Sequence, residues 1–131
     1  MRFSGWVFRI AAIWGFLSVP PMFFLLDRFG GDNPPPVTHP EFFYGFAGVT
    51  LAWQIVFLVI AWDPPRFRPI IPAAIVEKLA WAFTVAVLHA QGRMPAALVP
   101  LGAVDLLFAV LFTAAFTRLG SARIPAARPP G

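Results

Sequence analysis

Four stretches of the chain, residues 5–26, 42–62, 70–90 and 96–116, are apolar almost throughout. Each is close to the ~20 residues that an α-helix needs to cross a bilayer. Polar residues, glycines and prolines gather between them. Residues 27–36 join Gly30-Gly31 to Pro34-Pro35-Pro36, which predicts a non-helical, extended loop. Asp63-Pro64-Pro65-Arg66 predicts a short polar turn. Gln91-Gly92-Arg93-Met94-Pro95 places glycine where a helix ends and proline where the next begins. Pro20-Pro21 predicts a kink inside the first stretch. Residues 121–131, rich in Pro, Ala and Arg, predict a disordered tail. No internal repeat is visible. The expected fold is all-α: a polytopic membrane four-helix bundle over residues 1–120.

Composition agrees with this pattern. The chain has 131 residues, is 59% hydrophobic and only 12% charged, whereas a soluble domain is nearer a quarter charged. There is no cysteine, which excludes disulfides, thiolate ligands and cysteine nucleophiles. The net charge of +4 would raise nucleic acid as a partner in a soluble protein. Here the arginines lie at helix ends rather than on one face, so the expected partners are membrane lipids, and no nucleic acid. The first apolar run is too long for the core of a signal peptide and no small-x-small site follows it, so it reads as a retained span.

Arg2, Arg9, Arg66, Arg68, Arg118, Arg123 and Arg128 fall on one side of the four spans, and only Arg28 and Arg93 on the other. By the positive-inside rule both termini face the cytoplasm of a multi-pass protein of the cell inner membrane.

Three ionisable residues fall deep within the spans: Glu77, Lys78 and Asp105. Each costs at least ~2.5 kcal/mol at the centre of a lone helix, so each must pair, face the bundle interior or line water. At about 1.5 Å rise per residue, Glu77 and Lys78 lie about 12–14 Å from the arginine-rich side and Asp105 about 20 Å from it. The offset of about 6 Å matches the reach of a lysine. Gln54 lies about 12 Å in, and Thr50 is level with Asp105. Three helices therefore place polar groups in one layer. In a structural reading Lys78 pairs with Asp105, and Glu77 is protonated or bonded to Gln54. In a functional reading the layer is a ligand or proton site, and its surplus negative charge is balanced by a proton, a cation or an amine. Trp14, Trp53 and Trp81 fall within about a turn of this layer. They are either packing or the walls of a pocket for a flat apolar or cationic ligand.

At the other end, Thr38-His39-Pro40-Glu41 matches a capping box, with Thr38 as cap and Glu41 in the positive end of the helix dipole. His89 closes the third span, where a cation is favoured. His39, Glu41 and His89 have acceptable types for a metal, but capping accounts for them, and no metal or other cofactor is expected. No phosphate loop, HExxH or usable Ser-His-Asp order is present.

The run Thr38-His39-Pro40-Glu41-Phe42-Phe43-Tyr44-Gly45-Phe46, followed by Trp53-Gln54 and Glu77-Lys78, resembles a group of small bacterial four-helix membrane proteins, over residues 1–118. In layout it is similar to the DoxX-like proteins, four-helix bundles tied to quinone and redox membrane complexes. It also shares a four-helix layout with the EXPERA group, which includes sterol isomerases and sterol-binding receptors. These resemblances imply a four-helix membrane bundle, and they carry over no catalytic residue and no activity. The leading expectation is a lipid-like or quinone-like ligand held by Thr50, Trp53, Gln54, Glu77, Lys78, Trp81 and Asp105, in a homo-oligomer or as an accessory subunit of a larger membrane complex. The rivals are proton transfer on an apolar substrate by Glu77 and Asp105 with Lys78 tuning them, a transporter, and a purely structural subunit.

Overall fold

The computed structural model describes residues 2–32 and 38–121, and among these there is no strand. Helix α1 (Arg2–Ser18) runs into a 3-10 turn (Pro20–Phe23) and a short helix α2 (Leu26–Asp32). Helix α3 (Pro40–Trp62) is followed by α4 (Pro64–Phe67), a 3-10 turn (Arg68–Ile70) and α5 (Ile71–Ala90). A further 3-10 turn (Ala96–Leu98) opens α6 (Val99–Ser121). Four helical segments are long and apolar enough to cross a membrane: Arg2–Phe23, Pro40–Trp62, Pro64–Ala90 and Ala96–Ser121. Large apolar side chains such as Leu17, Phe83 and Val110 point outward, as expected of a multi-pass bundle whose solvent on its flanks is lipid.

Several local expectations need correction. Residues 27–32 are helical rather than extended. Asp27 occupies the first turn of α2, where its charge suits the helix dipole. Arg28 pairs with Asp32 one turn on at 3.5 Å, and these terms offset part of the glycine penalty. The expected extended path of Pro34-Pro35-Pro36 lies outside the described residues, as does the tail from 122 onward.

The double proline does not kink a continuous helix to residue 26. It ends α1 at Ser18, because neither proline can donate to the preceding turn. The chain tightens instead, with Met22 N–H donating to Val19 O (2.9 Å) and Phe24 N–H to Pro21 O (3.1 Å).

Residues 63–66, expected as a short polar turn, form the capped start of helix α4. Asp63 accepts from the Arg66 backbone N–H at 3.4 Å, and the prolines sit where no N–H is needed. Thr38 is not the cap of α3; His39 is, without a side-chain cap bond. Pro40 explains the shift, since the residue before a proline is kept out of the helical region, so α3 cannot begin earlier. The capping box is therefore out of register. Finally, α1 starts at Arg2 and α6 continues to Ser121. Apolar runs mark the width of the hydrocarbon slab, whereas helices extend past it on residues such as Arg2 and Arg118 whose charged heads reach water.

The helices pack pairwise, α1 on α3 and α5 on α6, with α1 also against α6, while α3 and α5 barely meet. Glycines set the close crossings. A Cβ at Gly5 would lie 3.5 Å from Ala61 O, one at Gly102 would lie 2.7 Å from Val85 Cγ1, and one at Gly15 would overlap the Gln54 side chain. The core fills the arginine-rich half. Phe8 stacks on Phe112 (4.2 Å between centroids), Phe57 meets Phe112 edge-on at 5.1 Å, and Ile60 and Ile71 are fully buried beside them. Arg68 closes that end, its guanidinium 3.8 Å from the Phe116 ring and its Nε donating to Phe116 O at 3.1 Å. Trp6 and Trp62 lie outward at the same end, as interfacial tryptophans do.

Candidate functional site

The half of the bundle away from the arginines is not filled. A cavity of about 970 Å³ occupies it, with walls from α1, α3, α5 and α6, at the upper end of the ~300–1,000 Å³ typical of ligand pockets. Its position follows from the packing. The aromatic core ends at Phe57 and Phe108, and beyond them the sparse α3/α5 seam leaves the space between Phe46, Thr50 and Trp53 on one side and Glu77, Ala80 and Trp81 on the other. Phe46 and Trp81 meet across the seam with ring centroids 5.2 Å apart.

The floor of the cavity is charged. Lys78 Nζ lies 3.4 Å from Asp105 Oδ1 and 3.5 Å from Glu77 Oε2, and its side chain is only 4% exposed. The ammonium rests over the rings of Phe57 (5.2 Å) and Phe108 (5.8 Å), where the aromatic core and the cavity join. Both ion-pair distances exceed the ~2.7–2.9 Å of a tight charge-assisted hydrogen bond. Two carboxylates thus share one ammonium, and among the described residues no other charged side chain lines the cavity. Left fully ionised, this group carries one surplus negative charge in a site of low polarity. Such a charge requires a proton or a bound cation.

Gln54 is buried beside them (1% exposed). It does not bond Glu77, contrary to one of the expected pairings. Its Nε2 donates instead to Thr50 O at 2.8 Å, one turn back on its own helix, a local acceptor that costs no helix movement. Its Oε1 packs against Gly15 and has no hydrogen-bond partner, and Glu77 Oε2 has none either. Buried polar atoms in this condition are uncommon. The hydroxyls of Ser18, Thr50 and Thr84, all on the cavity wall, donate to the carbonyls of Trp14 (2.8 Å), Phe46 (2.7 Å) and Ala80 (2.8 Å). They meet the cavity as acceptors.

No family model, curated protein or solved structure matches the chain. The site is therefore read from its geometry.

All seven expected site residues, Thr50, Trp53, Gln54, Glu77, Lys78, Trp81 and Asp105, line the cavity, as does Trp14. The His39, Glu41 and His89 set is not assembled. Among the described residues no three metal-ligating side chains come together, and His39 pairs with Glu41, Nδ1 to Oε1 at 3.1 Å on the exposed surface. The sequence reading missed Gly15, Ser18, Phe46 and the small residues of α5. A signal for the last was present: Ala73, Glu77, Ala80 and Thr84 recur at helical spacing, so one face of α5 carries small or polar groups, and all four line the cavity.

Proposed function

We propose that this protein is a small integral membrane protein that holds a lipid-like or quinone-like molecule between its second and third spans. The ligand's polar head meets Lys78, Glu77, Asp105 and Gln54, and its apolar body lies along Trp53, Phe46 and Trp81. The observation that carries this reading is the cavity itself, which reaches a buried charge cluster and is otherwise mostly apolar. A cluster serving only to lock helices needs no such space beside it. The sparse α3/α5 contact supports entry sideways from the bilayer. Arginine placement favours an orientation with both termini cytoplasmic, so the cavity opens in the outer half; the bacterial inner membrane is what the resemblance implies. A role as accessory subunit of a larger membrane complex is compatible with the same site.

The test is extraction and mass analysis of small molecules retained by protein purified in mild detergent. An apolar compound at near-equimolar amount is expected in the native protein. It is expected to be lost from Ala73→Phe/Ala80→Phe, which fills the cavity while leaving the aromatic core intact. Equal retention of bulk lipid by both proteins would defeat the proposal.

A further inference from the structure

Resting on the reading that an apolar molecule occupies this cavity, we propose that its head group is an amine cation, and that Glu77 is the residue that selects it. A charge balance and a donor balance support this independently.

Two carboxylates face one ammonium at 3.4 and 3.5 Å, so one more positive charge completes a neutral cluster. An anionic head would find the Lys78 ammonium already shared by two carboxylates and would add a second surplus negative charge. The hydrogen-bonding groups point the same way. Gln54 Oε1, packed against Gly15, and Glu77 Oε2, 3.5 Å from Lys78 Nζ, are closed off from the cavity and do not enter this balance. The hydroxyls of Ser18, Thr50 and Thr84 have their protons on helix carbonyls. A head group of N–H donors is thus met by acceptors, whereas an acceptor-only head such as a carbonyl must compete for the Lys78 ammonium with the two carboxylates already on it. The ring faces of Trp53 and Trp81 on the walls favour a cation over a neutral head of equal size. Lys78–Asp105 remains paired in this arrangement, and Glu77 becomes the partner of the ligand.

The experiment compares a long-chain amine with the alcohol and carboxylate of matching tail, each brominated on the tail so that it quenches tryptophan. The protein carries Trp6→Phe and Trp62→Phe, leaving the three cavity-wall tryptophans as reporters. In otherwise native protein the amine is expected to bind about tenfold or more tightly than the alcohol, the scale of a charge-assisted hydrogen bond, and the carboxylate more weakly than either. In Glu77→Gln the preference for amine over alcohol is expected to vanish while alcohol binding persists. Because the preference is a ratio within one micelle type, partitioning into detergent cancels between the two proteins. Should Glu77→Gln fail to fold, the ranking of the probes on the parent protein decides alone. Equal affinity for amine and alcohol, or preference for the carboxylate, overturns the amine assignment and leaves the apolar cavity standing. Absence of saturable quenching by all three probes overturns the cavity reading itself.

Discussion

Replacing Lys78 with methionine keeps most of the side-chain volume above Phe57 and Phe108 and removes only the charge. Its Nζ lies about 3.5 Å from a carboxylate on either side. At an effective dielectric near 20, each contact is worth roughly 5 kcal/mol of attraction. Desolvation of the three groups offsets most of this, and loss of one member of a buried pair leaves a net cost of about 3–5 kcal/mol. The value should fall at the lower end, because Glu77 and Asp105 can take up protons once the ammonium is gone. Lys78→Met combined with Asp105→Leu strands no aspartate, and should recover at least ~1 kcal/mol of that loss, within the coupling range of residues in contact. The assay is reversible unfolding in mixed micelles followed by tryptophan fluorescence, on the parent, both single variants and the double. Strictly additive losses would refute the reasoning, since they would mean that Lys78 and Asp105 do not share an interaction. The double variant leaves Glu77 and the cavity in place, so ligand should still be retained by it.

Two glycines should behave differently despite similar crowding. Gly15→Ala meets the flexible end of Gln54, so the amide swings into the cavity, the bond to Thr50 O is lost for about 1 kcal/mol, and retained ligand falls in the extraction assay. Gly102→Ala meets the Cβ and Cγ1 of Val85 at 2.8 and 2.7 Å, a branched side chain with no alternative rotamer in a helix, and should cost about 1–3 kcal/mol by unfolding. Glu41→Gln, on the exposed surface beside His39, should change stability by no more than about 0.5 kcal/mol in the same measurement; a larger loss would mean that this end of α3 has a role beyond its helix start. For topology, an impermeant thiol reagent applied outside intact cells should label a cysteine placed at Asp32 and miss one placed at Arg66, and the reverse pattern would defeat the arginine-based orientation.

The spans were legible because the bilayer demands uninterrupted apolar runs, and the Lys78–Asp105 pairing because helix rise alone converts sequence position into depth. The start of α3 was legible in principle: Pro40 rules out a cap at Thr38, and that rule is stronger than the capping pattern it conflicts with. Other features depend on tertiary choices that leave no local mark. Gln54 turns to Thr50 O on its own helix rather than across to Glu77, a rotamer preference set by Gly15 and the neighbouring backbone. Helix α2 contains Gly31 in its last turn, against local propensity. The open seam between α3 and α5 was the least legible feature. In a membrane the outward and inward faces of a helix are both apolar, so the pattern that marks a buried face in a soluble protein is nearly silent. Only small residues such as Gly15, Ala73 and Ala80 hinted at where side chains would leave room.

The central claim is that the space beside Lys78 belongs to a ligand. A density map of the protein purified from its native membrane and held in lipid tests this most directly. An elongated feature is expected between α3 and α5, ending within hydrogen-bonding distance of Glu77, Lys78 or Gln54. Helices α3 and α5 closed upon each other, with Phe46 and Trp81 packed into the space and nothing beside Lys78, would contradict it.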